Sequence, residues 1–311
     1  RGTTGKDKIL FCGYHGWHDW YQAANYLVDP ESGEYPFAGI EPIGVPKALA
    51  GTAIPFTYGD LALLESLLDE HQGEVGAIMM EPARSELPEA GYLEGVKALA
   101  QKHGALLIFD EVSCGWRLSI GGLQKRLGVI PDMTVVAKAM SNGYPMGAVV
   151  GSRAAMEPAS QMFVSSSYWS DNIGLVAALT TIRELKRRNS EVCFKKIGES
   201  LRSAINGAIT ASGLSGTCTG LHTALGITLD LPDEALQPKV KTLFIQEMAW
   251  RGVHCYMGFK GTLAHTEEDI CLTAEIATEV LSIIKSGLDA GNLDSLLHCD
   301  PKKDPFRRLV R

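Results

Sequence analysis

Apolar residues along this chain gather in short unbroken runs, and several of those runs stop at an ionisable residue. Val75-Gly76-Ala77-Ile78-Met79-Met80 stops at Glu81, Ala105 through Phe109 stops at Asp110 and Glu111, and Val135-Val136-Ala137 stops at Lys138. Runs of this length without polar alternation predict strands covered on both faces, the habit of parallel sheets. Lys8-Ile9-Leu10-Phe11-Cys12-Gly13 predicts a strand ahead of them, and Ala148-Val149-Val150-Gly151 a short one after. Between the runs the spacing becomes helical. Leu61, Leu64, Leu67 and Leu68 recur behind a capping Asp60, which predicts a helix over 60–69, and residues 91–103 predict another. Alternating strands and helices define an α/β fold with a mainly parallel sheet. Such sheets bind ligands at the carboxyl ends of their strands, so Glu81, Asp110 and Lys138 are expected to converge, a buried acid beside a buried amine.

The rest of the chain reads more coarsely. A Gly/Pro-rich stretch over 29–51 predicts a long loop. Residues 172–188 predict a long amphipathic helix with the basic end Lys186-Arg187-Arg188, taken as the link to a second domain. Beyond it, helices over 191–211, 233–250 and 267–286 and strands over 224–229 and 253–257 predict a smaller α+β unit. The expected division is therefore a large domain over 1–185 and a small C-terminal domain over 186–311.

Composition narrows the partners. The chain has 311 residues, 45% of them hydrophobic and 21% charged, enough for a large core in an ordinary globular protein. A formal net charge of −7 leaves no basic footprint for nucleic acid or an anionic membrane, so small-molecule substrates are expected. No apolar run is long enough to span a bilayer, and the first residues carry no secretory pattern, which makes a cytoplasmic location the expectation. Seven cysteines without a CxxC pair read as reduced thiols, and no His/Cys cluster suggests a metal.

The chemistry follows from the strand-end residues. Desolvation favours the neutral amine of a lysine, which can then attack a carbonyl and hold a Schiff base. Pyridoxal 5'-phosphate needs such a lysine, a carboxylate beside its pyridine nitrogen, a sandwich for its ring and donors for its phosphate. Lys138 and Asp110 fill the first two roles, while Val112 and Tyr14 are placed on the two ring faces. Gly143-Tyr144-Pro145 lets the chain turn tightly after Lys138. Each assignment has a plainer rival. Lys138 alone would read as a snorkelling strand-end lysine, Asp110 and Glu111 as helix caps, Tyr14 as core, and His15 and His18 as structural. Glu81 reads equally as a substrate-positioning group or a backbone acceptor, and Arg84 and Arg117 as binders of a substrate carboxylate or as ion-pair partners.

Taken together, Tyr14-His15-Gly16, Glu81-Pro82, Asp110-Glu111-Val112 through Gly115-Trp116-Arg117, Pro131-Asp132 and Lys138-Ala139-Met140-Ser141-Asn142-Gly143-Tyr144-Pro145 resemble the motif series of the class III aminotransferases. The resemblance is closest to the glutamate-1-semialdehyde 2,1-aminomutase branch, whose last-domain motif is similar to His265-Thr266-Glu267-Glu268-Asp269-Ile270. It implies the fold-type-I architecture, pyridoxal phosphate as cofactor with Tyr14, His15, Glu81, Asp110, Val112 and Lys138 about it, and a homodimer with its site at the subunit interface. The activity implied is a transaminase moving an amino group between an amine and a carbonyl compound. The alternatives are an aminomutase and a catalytically silent homologue kept for binding or dimerisation.

Two departures accompany the resemblance. The family's phosphate-binding helix start lies upstream of the Tyr-His-Gly motif, and Arg1 follows that point. The expectation is that the chain lacks this N-terminal part and by itself binds the cofactor poorly. The family's phosphate-reaching threonine is replaced by the run Ser165-Ser166-Ser167-Tyr168-Trp169-Ser170, with Ser167 and then Ser166 as the expected substitutes.

Overall fold

The computed structural model describes residues 1–27, 36–37 and 40–302, so part of the expected 29–51 loop (29–35 and 38–39) lies outside the described residues. The chain divides into two compact units, the first over Arg1–Arg187 and the second beginning at Arg188. In the first, β1 (Lys8–Cys12) leads through α1 (Asp19–Gln22) to β2 (Ala53–Pro55), α2 (Leu61–Glu70), β3 (Val75–Met80), α3 (Tyr92–His103) and β4 (Leu106–Asp110). After them come α4 (Leu123–Leu127), β5 (Met133–Ala137), β6 (Gly147–Gly151), α5 (Arg153–Met156) and α6 (Asn172–Arg187).

Among the described residues these strands form a sheet in the order β2-β1-β3-β4-β5-β6. The first five run parallel and β6 is antiparallel to β5. The core is built from the runs that predicted the strands: Leu10, Ile78, Leu107 and Phe109 are fully buried against Leu64, Leu68 and Val96 of α2 and α3. Local signals set the helix ends. Asp60 accepts from Leu63 N at 2.8 Å, and Gly104 closes α3 at φ 62°, a conformation that favours glycine.

Burial differs from the expectation in one respect. Five of the six residues of β3 are buried, whereas β4 and β5 alternate between buried and half-buried positions and β6 is largely exposed. The site end of the sheet is thus less enclosed than continuous apolar runs imply. Periodicity within a run cannot tell which face a distant element will cover.

The second unit contains α7 (Ser190–Ala211), β7 (Gly216–Leu221), β8 (Ala224–Leu229), α8 (Gln237–Trp250), β9 (Gly258–Phe259), α9 (Glu267–Asp289) and α10 (Leu293–Leu296). Its antiparallel sheet β7-β8-β9 packs with the helices around Ile205, Ile227, Phe244 and Val280. One expectation is corrected here, and one strand was not foreseen. The strand expected over 253–257 is found instead at Gly258–Phe259, because the pairing partners of β8 are Gly258 and Phe259, and Met257 sits at φ 48°, where a strand cannot continue. β7 carries no sequence signal of its own, since two glycines and two threonines interrupt its apolar pattern, and it is a strand through its ladder with β8. The His265–Ile270 motif is the start of α9. Thr266 and Asp269 form a reciprocal capping box, with Thr266 N donating to Asp269 Oδ2 at 2.7 Å and Asp269 N to Thr266 Oγ1 at 3.2 Å.

Candidate active site

Because β3, β4 and β5 are neighbours and parallel, Glu81, Asp110 and Lys138 emerge at the same edge of the sheet. β1, on the other side of β3, delivers Gly13, Tyr14 and His15 to that edge. The convergence expected from the sequence is therefore realised by strand order.

Asp110 is buried and fixed through both oxygens. Oδ2 lies 2.8 Å from His15 Nδ1, and Oδ1 accepts from Val112 N at 3.0 Å. His15 is also buried, its Nε2 3.2 Å from Cys12 O and its ring stacked on Trp20 at 6.2 Å. Phe11 and Tyr21 meet the imidazole edge-on at 6.1 and 5.9 Å. The aromatic cage holds the imidazole, and the imidazole aims the carboxylate.

Glu111, one residue on, has a different fate. Its wholly buried carboxylate accepts from Leu123 N and from Gln124 N, capping α4, and burial raises its pKa while the two amides partly offset that rise. Gly122 has to be a glycine here, since it sits at φ 94° and a Cβ would lie 2.9 Å from Glu111 Oε1. The capping alternative raised for both acids holds for Glu111.

Lys138 corrects the sequence reading. Its side chain is exposed, so this chain's own walls do not desolvate the amine and the argument from burial does not apply. The physical reason is the half-open end of β5, where the chain enters a single turn of 3-10 helix over Lys138–Met140. Lys138 adopts φ 49°, an unusual conformation for a non-glycine residue that costs on the order of 1–3 kcal/mol. Ser141 N and Asn142 N donate to Lys138 O at 3.2 and 3.1 Å, and Ser141 Oγ donates to Tyr144 O at 2.7 Å, which together hold the turn. Lys138 Nζ donates to Ser113 Oγ at 3.0 Å. Ser113 escaped the sequence reading; its position between Val112 and Cys114 in the strand-end motif was the available signal.

The remaining candidates are placed as follows. Tyr14 is half-buried, with ring contacts to Trp17 at 5.2 Å and Tyr21 at 5.9 Å. Its backbone N donates to Glu81 Oε2 at 3.2 Å, the same oxygen that receives Arg84 Nη1 at 2.7 Å. Glu81 thus braces the Tyr14 segment against β3, and Arg84 is its ion-pair partner. Arg117 is half-buried and donates from Nη1 to Ser113 O at 2.6 Å, with burial lowering its pKa. Ser166 and Ser167 are exposed on a turn before α6. Ser166 Oγ accepts from Tyr168 N at 3.4 Å, and the structure joins neither serine to Lys138 or Asp110. Cys12 and Cys114, close to these acids, are buried thiols whose pKa burial pushes up, which makes them poor nucleophiles.

The fold recurs in solved structures. The FumI protein of Sphingopyxis sp. MTA144, in its pyridoxal-phosphate form, aligns with a TM-score of 0.79 and 22% identity over 96% of this chain and 70% of its own. An omega-transaminase from Sphaerobacter thermophilus aligns with a TM-score of 0.77 and 23% identity, covering 90% of this chain and 69% of that one. The architecture is therefore the fold-type-I α/β arrangement of pyridoxal-phosphate-dependent transferases, with the acid and lysine strand ends where such folds place ligands. The sequence matches the aminotransferase class-III family over residues 58–288, and the chain belongs to that family. Among its relatives, 3-aminobutyryl-CoA aminotransferase of Cloacimonas acidaminovorans is 33% identical over 93% of this chain and 68% of the relative. Glutamate-1-semialdehyde 2,1-aminomutase of Natranaerobius thermophilus is 31% identical over 91% and 69%. A third, 2'-deamino-2'-hydroxyneamine transaminase of Streptomyces kanamyceticus, is 30% identical over 86% and 64%. The chain spans about two thirds of the length of these relatives.

Proposed function

We propose that this chain is the pyridoxal-phosphate-dependent part of a transaminase that passes an amino group from an amine or amino-acid donor to a carbonyl acceptor. One observation carries the reading: a doubly anchored carboxylate, Asp110, and an accessible amine, Lys138, stand at the ends of adjacent parallel strands. That pair is the donor set the cofactor requires, a carboxylate for its ring nitrogen and a primary amine for its aldehyde.

The residues divide the work. When bound, the cofactor supplies an aldehyde that captures amines and a ring that draws electrons from the neighbouring carbon. Lys138 would hold the cofactor through its amine and, when not so engaged, would carry a proton off and back onto the substrate carbon. Asp110 keeps the ring nitrogen protonated, and His15 keeps Asp110 aimed. Tyr14 and Val112 pack the ring faces. Ser166 and Ser167 supply hydroxyls to a phosphate, reaching it from a neighbouring subunit of a homodimer. Arg117 offers its remaining guanidinium donors to a substrate carboxylate, while Glu81 and Arg84 serve as the brace under Tyr14. Among the described residues no helix is long and apolar enough to cross a membrane; a cytoplasmic location is part of the proposal.

Borohydride reduction of the loaded chain followed by peptide mapping should find the cofactor on Lys138, and Lys138→Ala should abolish both attachment and turnover while leaving the fold intact. Cofactor found on Lys125 or Lys47 instead would sink the assignment. The aminomutase relative motivates a second reading, in which the amine returns to an adjacent carbon of the same molecule. Incubation with a single amino compound and no carbonyl acceptor separates the two, because an aminomutase then turns over to a positional isomer whereas a transaminase needs the acceptor for sustained turnover. A chain that binds the cofactor yet turns over no donor would be the silent homologue.

A further inference from the structure

We propose that Ser113 is a positioning residue for Lys138, fixing the amine at the cofactor-facing edge of the sheet through its hydroxyl; this rests on the functional reading just given. Lysine has a long flexible stem, and Lys138 is exposed at the end of β5, so packing alone does not select one direction for its amine. The hydrogen bond from Nζ to Ser113 Oγ at 3.0 Å supplies that selection. The hydroxyl suits both states of the amine, accepting from an N–H when the nitrogen is protonated and able to donate to its lone pair when it is neutral.

Ser113 is itself held by backbone, which gives its hydroxyl a fixed origin. It lies in the turn immediately after Asp110, where Gly115 N donates to Glu111 O at 2.8 Å and Arg117 Nη1 grips the Ser113 carbonyl at 2.6 Å. The turn that orients Asp110 through Val112 N therefore also presents Ser113 to Lys138. A single short segment sets both the acid and the amine. Arg117 binds the carbonyl and not the side chain, so replacing the hydroxyl leaves the turn's own bonds in place, and the exposed position opens no cavity.

The test compares the full chain with Ser113→Ala and Ser113→Thr by two readouts. The first is the fraction of Lys138 trapped by borohydride at subsaturating pyridoxal phosphate, mapped by peptide mass. The second is the division of any rate loss between kcat and KM for an amine donor. We expect Ser113→Ala to lower the trapped fraction about tenfold, the scale of losing one hydrogen bond to a charged group, and to lower kcat with KM nearly unchanged. Ser113→Thr, which keeps the hydroxyl, should restore both. Wild-type trapping in the alanine variant, or a threonine variant as impaired as alanine, would overturn the positioning role while leaving the functional reading intact. A wild-type chain that leaves Lys138 unlabelled even at saturating pyridoxal phosphate would overturn the functional reading, and this proposal with it. Unchanged circular dichroism and thermal midpoints establish that the variants compared are folded.

Discussion

Asp110 has both oxygens committed, one toward an imidazole and one to a backbone amide, which makes it a buried, oriented acid and not a surface one; the role proposed for it is partner of the cofactor ring. A carboxylate keeps a bound pyridine nitrogen protonated; an amide of nearly the same shape does not. Asp110→Asn should therefore keep its bond to His15 and most of its cofactor affinity. It should lose roughly ten- to a hundredfold in turnover, the equivalent of one charge-assisted hydrogen bond worth about 1.5–3 kcal/mol. Equilibrium titration with the cofactor set beside single-turnover kinetics checks the prediction. Near-normal transamination by the asparagine variant would reduce Asp110 to a structural acid.

At the scale of elements, adjacent acids at the end of β4 are divided between two tasks. Asp110 faces the site and Glu111 caps α4 from inside the protein. Burial raises the pKa of Glu111 above its ordinary 4.5, so over the window just above that value the folded state holds a proton that the unfolded state has lost. Stability from this group is fully present below about pH 4.5 and is lost as pH rises through the raised pKa. Glu111→Gln removes the titration while keeping an acceptor for α4. Its urea midpoint should vary less with pH than that of the wild type across the weakly acid range, and an unchanged pH slope would contradict the assignment. Glu111→Ala is the harsher change. It leaves the buried Leu123 amide without its acceptor, at about 1–3 kcal/mol, and the part-buried Gln124 amide at less.

At the scale of the molecule, the first unit carries an apolar surface that its own elements leave uncovered. Phe163 is 99% exposed, Trp169 69%, and Ile173 and Val176 62% each, the last two on α6. Ile173 and Val176 also line a groove of about 570 Å³ with Ser141, Asn142 and Tyr144 of the turn that follows Lys138. Ile173 and Val176, exposed and apolar beside the lysine turn, suit an interaction surface, which accords with the proposed homodimer and its shared site. Sedimentation equilibrium should give a dimer for the wild type, and Ile173→Asp with Val176→Asp should shift it toward monomer while far-ultraviolet circular dichroism is retained. A monomeric wild type at micromolar concentration would count against the proposal.

What was legible in the sequence was what local rules specify. Apolar runs marked β1, β3, β4 and β5; Asp60 announced the start of α2; and the acids and the lysine stood where the runs stopped. These features depend on the periodicity of a few consecutive side chains and on the unpaired amides of a helix's first turn. Tertiary structure decided which strand lies beside which, and with that everything that spans distance along the chain. His15 meets Asp110 across 95 residues, and Lys138 meets Ser113 across 25. Burial of Glu111, exposure of Lys138 and the placing of β9 at Gly258–Phe259 belong to the same class. No local pattern contains them, because each depends on which surfaces of remote segments exclude water together and which hydrogen bonds that packing leaves to be made.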